Sequence, residues 1–464
     1  MAKLYIFGIG GTGSRVLRSF TMMMAAGVKI GVNEIVPIII DPDSANADLS
    51  RTVSLMNEYR YIRSSLFFDN EHSDIFFRKN LSRILVDYTL HIKDTNDQTF
   101  QQFIDLPSMD KASQAMLRML FSEKNLSTPM EVGFKGNPNI GSVVLNQMVY
   151  SDDFQEFANE FETGDKIFII SSIFGGTGAS GFPLLLKTLR NGTGFPNFDI
   201  INHSEIGAIS ILPYFKLVKD DKSEIDSSTF ISKTKSALAY YENNIIKNRA
   251  INALYFLGDD IANVYDNHDG GLLQQNDAHL MEFLAATAIV DFSNRGIEGT
   301  SNVELGIKDI SDTITFSSFY DEQYKLLFPP FTKFMMMTNC LNEKFDYYSS
   351  KAFNANYDNF KDLYTSQFMS NLRNFTNLFV GWLDEMKKNK RSLDLFNLNS
   401  NGKPFEIVTG RQPKKIRSLK SNYDLVTARL NSAIKKCQSK GDEDKFLEMF
   451  FNATSRLFEE KLNY

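Results

Sequence analysis

Phe7-Gly8-Ile9-Gly10-Gly11-Thr12-Gly13-Ser14 and, far downstream, Phe174-Gly175-Gly176-Thr177-Gly178-Ala179-Ser180-Gly181 carry the most information about the fold. Each follows an apolar run of strand length, residues 3–7 and 166–173, and each opens a segment with helical spacing. Glycine allows a sharp turn and lets backbone N–H groups approach an anion with no Cβ in the way. The free amides and positive dipole end of the following helix then complement phosphate. Two such turns in one chain point to one nucleotide held between two helix N-termini. Around these turns, residues 36–40 read as a buried strand ending at Asp41-Pro42-Asp43, 206–213 as another stopped by Pro213, and 253–257 as a short one. Alternating with helical stretches such as 110–121 and 230–245, they predict an α/β fold with a Rossmann-like parallel sheet covered on both faces.

The 464 residues suffice for two or three domains with real cores, and 43% hydrophobic with 23% charged residues is ordinary globular composition. A net charge of −6 argues against direct nucleic-acid binding driven by bulk electrostatics. Cys340 and Cys437 are the only cysteines, which excludes a disulfide framework and a Cys-rich zinc site. The opening Met-Ala-Lys-Leu-Tyr-Ile-Phe lacks signal-peptide anatomy, and the apolar runs are too short to span a bilayer. A soluble cytoplasmic protein that does not enter the membrane is expected.

Residues 276–292 read as a helix apolar around most of its circumference, hence central. Beyond it, 313–319 and 331–336 read as two strands, followed by Phe-rich helices. Phe368, Leu372, Phe375, Phe379, Trp382 and Met386 form one stripe, and Phe446, Phe450, Ala453 and Leu457 another, each facing a core or a partner. The basic clusters at 387–391 and 414–417 read as solvated helix ends.

Neither glycine turn ends in Gly-Lys-Ser/Thr, so this is not a Walker-type NTPase. Phosphate would be held by backbone amides with the hydroxyls of Thr12, Ser14, Thr177 and Ser180. Asp41 sits where an acid binds a ribose hydroxyl in a dinucleotide fold, or else caps the following turn. A third loop, Gly136-Asn137-Pro138-Asn139-Ile140-Gly141, places proline where a helix begins. Three connections at strand carboxyl ends could then converge on one polyphosphate.

In these three loops and in their order the chain resembles the tubulin/FtsZ superfamily, in its divergent prokaryotic tubulin-like branch. The stretch from Phe174 to Gly181 is similar to the family's Gly-Gly-Gly-Thr-Gly-Ser-Gly signature, with Phe174 in place of the first glycine and Ala179 inserted. The first turn resembles the family's first loop, and Gly136–Gly141 its bacterial Gly-Asn-Pro-x-x-Gly loop. The resemblance implies phosphate contacts from Gly10, Gly11, Thr12, Gly13, Ser14, Gly136, Asn137, Gly175, Gly176, Thr177, Gly178, Ala179, Ser180 and Gly181. It implies a base contact from Asn276 at the head of the central helix, with Asp41 on the ribose. Catalytic acids come from the loop after that helix, in a neighbouring subunit; here the candidates are Glu304, Asn302 and Asp309. GTP/GDP and Mg²⁺ are the implied cofactors, and a homo-oligomer or filament the implied assembly. The corresponding division is a nucleotide-binding domain at 1–275, a central helix at 276–294, a remnant activation domain at 295–340 and a helical C-terminal region at 341–464.

Two alternatives stay open. One is a non-polymerising nucleotide switch or scaffold that docks a partner protein through its C-terminal helices. The other is an ATP-dependent adenylating enzyme of the ubiquitin-activating type, which the first turn and Asp41-Pro42-Asp43 also resemble. An NAD(P) dehydrogenase finds no proton-transfer histidine, since His203, His268 and His279 have no recognisable partner.

Overall fold

The computed structural model describes residues 2–43, 46–67, 75–92, 95, 98–130, 134, 137–218, 227–259, 264–265, 276–295, 305–308, 311–349, 357–399, 403–414 and 422–463. Six strands build one parallel sheet: β1 (Lys3–Ile9), β2 (Glu34–Ile40), β3 (Asn80–Leu81), β4 (Lys166–Ser172), β5 (Glu205–Ile211) and β6 (Ala253–Leu257), in the order β3-β2-β1-β4-β5-β6. β1 lies at the centre, Leu4 pairing with Ile35 on one side and Lys166 on the other. Apart from their first residues, β1, β2, β4 and β5 are buried throughout, as expected of strands covered on both faces. Pro37, which has no N–H to donate, falls where β2 has no partner on its outer side, between the Ile35–Leu81 pair and the Ile39–Thr89 bridge.

Helices of eight or more residues are α1 (Gly10–Ala25), α2 (Ala47–Ser64), α3 (Lys111–Leu120), α4 (Pro138–Leu145), α5 (Asp152–Glu160), α6 (Gly176–Asn191), α7 (Phe230–Tyr241), α8 (Leu280–Asn294), α9 (Asp321–Glu343), α10 (Gln367–Lys388), α11 (Asn422–Ala433) and α12 (Asp442–Lys461). α8 is buried on nearly every side. It lies between α1 and strands β5 and β6, and its Phe283 also meets Phe331 of α9 and Trp382 of α10 at ring-centroid distances of 5.7 and 6.0 Å. The apolar core therefore runs without a break from Leu4 to Leu462.

The expected strand at 331–336 is instead the interior of α9, with Phe331, Phe334, Met335 and Met336 buried. A short apolar run covered from several directions has no period that separates strand from helix, and the preceding Pro329-Pro330 pair reads as a boundary although it lies inside the helix. Of 313–319 only Thr313–Ile314 is strand, paired with Ser392–Leu393, before a 3₁₀ turn at Phe316–Ser318. A helical layer thus stands where a small sheet was expected. Both C-terminal stripes are buried within the chain, so they are core and not a docking face. No described helix is long and apolar enough to cross a membrane.

Candidate functional site

The chain leaves β1 through α1 toward β2 and leaves β4 through α6 toward β5, on opposite sides of the sheet. The carboxyl ends of adjacent β1 and β4 are therefore a topological switch point, where open α/β sheets bind ligands. Both glycine turns lie there. Gly10 has φ +69°, and a Cβ built on it would stand 3.5 Å from Thr177 Cβ, so the two turns touch. A Cβ on Gly13 would lie 2.4 Å from the Gly8 carbonyl carbon, because strand and helix backbones cross there. The third loop joins them: a Cβ on Gly141 would meet Ser180 Oγ of α6, and Asn137 caps α4 by accepting from Asn139 N–H at 3.2 Å. Gly136 lies outside the described residues.

α1 and α6 begin without a side-chain cap, and neither has an acid in its first turn. Two positive dipole ends meeting at one point favour an anion between them, each helix end contributing on the order of 1 kcal/mol. Thr12, Thr177, Gly11 and Gly175 border this point, and all four are half-buried. Ser14 and Ser180 do not offer their hydroxyls as expected. Both are buried, with Ser14 Oγ donating to Gly10 O and Ser180 Oγ to Gly176 O at 2.8 Å. Ala179 and Gly181 belong to α6 itself. Phe174 closes an aromatic cluster with Phe215 and Phe230, which accounts for the bulky residue where the resemblance has glycine.

A cleft of about 360 Å³ runs from Arg15 past Tyr214, Phe215, Tyr265, Asn276, His279 and Glu282 to Lys388, Asn389 and Lys390. Arg15 joins it to the turn, its Nη1 lying 3.6 Å from a Cβ built on Gly11. Beneath it runs a buried charge network. Arg15 donates from Nε to Glu282 and from Nη1 to Asp48 at 3.1 Å. Arg51 bridges Asp48 at 3.7 Å and Glu385 of α10, and Arg18 reaches Glu385 at 2.8 Å. Burial works against the Arg15 charge, but Glu282 and Asp48 outweigh it and hold the guanidinium well above its ordinary value. At Glu385 burial is likewise outweighed, by Arg18 and Arg51, and the carboxyl is held below the usual range.

Asn276 lies four positions before α8, not at its head. It lines the cleft, but its Nδ2 and N–H are donated to Asp48 at 2.8 and 3.0 Å. Asp41 is buried and accepts from Asp43 N–H at 3.1 Å, the turn-capping alternative. Asn302, Glu304, Asp309, His268 and 415–417 lie outside the described residues. In the 387–391 cluster Lys388 and Lys390 are exposed at the end of α10, as expected, whereas Lys387 pairs with Asp394 at 2.9 Å and the buried Arg391 with Asp259 at 3.0 Å. No sequence motif marks Arg15, Asp48, Glu282, Glu385 and His279 as a site. The one signal that points to them is charge inside otherwise apolar helices, as in Gly-Ser-Arg-Val-Leu-Arg at 13–18.

Burial pushes the Asp41 carboxyl from 3.8 up to about 7. A folded-state value above the unfolded one means that the group stabilises below about pH 4 and loses that contribution as pH rises through 7. Asp41→Asn should therefore gain stability over the wild type between pH 5 and 7, by about 1.4 kcal/mol per unit. Urea midpoints across that range measure it; a constant difference would contradict it.

The sequence matches no protein-family model and no curated protein. Among solved structures it is similar to CetZ2 from Haloferax volcanii in a GTPγS-bound protofilament, at 13% identity and TM-score 0.28, over 56% of this chain and 49% of that one. It is also similar to CetZ from Methanosaeta thermophila (14%, 0.27, 56% and 46%). CetZ1 from Haloferax volcanii, a GDP-bound monomer, is another (16%, 0.27, 55% and 51%). The chain thus spans about half the length of each. Likeness this loose carries no argument; strand order and local geometry define the protein as an α/β chain with a ligand site at its switch point.

Proposed function

We propose that the chain is a tubulin/FtsZ-like protein that binds a guanine nucleotide, its polyphosphate between α1 and α6 and its base toward the cleft at Arg15. The observation that carries this is the meeting of two uncapped, acid-free helix N-termini at the switch point. Gly10–Gly13 and Gly175–Gly178 are the phosphate-binding backbone, and Gly136 with the side-chain amide of Asn137, whose N–H is already given to Phe134 O at 2.7 Å, completes the third loop. Mg²⁺ would be held by phosphate oxygens and water, its usual arrangement with nucleotides. Residues 1–275 then act as the nucleotide domain, and 276–294 connect it to 295–340 and the helices of 341–464. Hydrolysis would occur between subunits of a filament, with Glu304, Asn302 or Asp309 of one subunit orienting water against the next subunit's GTP.

A switch that does not assemble is favoured by one observation. Glu385 of α10 accepts from Ala278 N–H at 2.9 Å, which ties the C-terminal layer to the segment lining the cleft.

Equilibrium binding of GTP, ATP and NAD to the wild type and Gly11→Trp tests the proposal. A Cβ on half-buried Gly11 meets only side-chain ends, Asn46 Nδ2 at 3.4 Å and Arg15 Nη1 at 3.6 Å, so the variant can fold. GTP should bind at least about tenfold tighter than ATP or NAD, a gap of roughly 1.4 kcal/mol, and the substitution should abolish it. Preference for ATP would favour the adenylating alternative, and no binding would overturn the proposal.

A further inference from the structure

We infer that His279 is a specificity-determining residue of the cleft: its Nε2–H is the hydrogen-bond donor that reads an acceptor atom on the ring of a bound purine nucleotide. This rests on the nucleotide proposal and goes further, assigning a role to a histidine that neither the sequence motifs nor the phosphate loops use.

The tautomer follows from the fold. His279 precedes α8, and Met281 N–H donates to its Nδ1 at 3.1 Å. Nδ1 is therefore the acceptor, and the neutral ring carries its proton on Nε2. Burial, with Arg15 and Arg391 nearby, lowers the imidazole pKa to about 3, so the ring is neutral under ordinary conditions. Nε2 is buried with no hydrogen-bond partner among the described residues, in a side chain belonging to a residue only 5% exposed. A buried donor left unmade costs on the order of 1–3 kcal/mol. His279 itself lines the cleft, and its Nε2 lies just behind that lining.

The surroundings suit a flat heteroaromatic ring. Tyr214 packs on His279 at a centroid distance of 4.8 Å and on Phe215 at 4.9 Å, and Tyr265 lies 6.2 Å from His279. Such walls take the face of a base, leaving its edge to be read by a few fixed polar groups. The donor's position is set by more than its own helix. Ala278 donates its N–H to Glu385 at 2.9 Å and accepts from Asn389 Nδ2 at 3.0 Å, so the end of α10 clamps the residue before His279. Asn389 Oδ1 also accepts from Tyr265 OH at 2.6 Å, joining the aromatic wall to the same clamp. The C-terminal layer thereby acts as a positioning element for the base.

Two substitutions separate the donor from the helix cap. In His279→Asn the short amide can keep an acceptor near the Nδ1 position but removes the donor at Nε2. In His279→Gln the longer amide can present N–H near Nε2 but gives up the cap. Binding of GTP and of ribose 5-triphosphate, which has no ring to read, is measured for both variants and the wild type, with thermal melting alongside. His279→Asn should bind GTP about tenfold more weakly with ribose 5-triphosphate unaffected, while loss of the packed ring lowers the melting temperature. His279→Gln should hold GTP within about twofold of the wild type while melting at a lower temperature. Equal losses on both probes, or full GTP affinity in His279→Asn, would overturn the inference and leave the nucleotide proposal standing. A wild type that binds neither probe would remove both.

Discussion

Glu282→Ala should destabilise the protein by about 3–5 kcal/mol, the cost of stripping one partner from a buried ion pair. Glu282 is 2% exposed and accepts from Arg15 Nε and, at 3.1 Å, from His279 N–H. Without it Arg15, itself only 8% exposed, keeps Asp48 as its one carboxylate partner among the described residues, and Asp48 is already shared with Arg51 and Asn276. The charge is then undercompensated in a place that water reaches poorly. Removing both members should be far milder: Arg15→Met with Glu282→Met takes out the charge together with its partner, and should recover most of the loss. Urea denaturation of the three proteins gives the comparison. A single-variant cost below about 1 kcal/mol, the range of an exposed pair, would mean that the pair is solvated.

Gly13→Ala should cost about 3 kcal/mol, the upper end for overpacking, and should abolish nucleotide binding if the proposed site is correct. The added carbon would sit 2.4 Å from the Gly8 carbonyl carbon and 2.6 Å from Gly8 Cα. Both are backbone atoms of the strand–helix crossing, so no side chain can swing aside. Relief requires α1 to move off β1, which separates Gly10 from Thr177 and opens the anion site. Gly11→Ala is the control, since its neighbours are ends of flexible side chains at 3.4 and 3.6 Å. It should change stability by less than about 0.5 kcal/mol. Equal effects at the two positions, by denaturation and nucleotide binding, would show that the crossing is looser than these distances imply.

Much of the framework is legible in the sequence. The strands at 36–40 and 253–257 fall within β2 and on β6, and the two glycine turns open α1 and α6. These depend on short-range rules, the spacing of apolar residues and the stereochemistry of glycine. The stripe from Phe368 to Met386 is equally clear as a helix, yet whether it faces a core or a partner depends on what packs against it. The run at 331–336 misleads for the same reason, because burial from several sides erases the period.

Most of the strands and helices, the glycine turns that open α1 and α6, and the apolar character of the central helix are written in the local pattern of residues. Which charges are buried together, and which donor is left unpaired, came only with the packing of distant segments. Arg15 and Glu282 meet across 267 positions, and Ala278 is held by Glu385 across 107. No local pattern encodes such pairings. The energy of a charge or a hydrogen bond depends on its partner and on exclusion from water, and both exist only once the chain has folded.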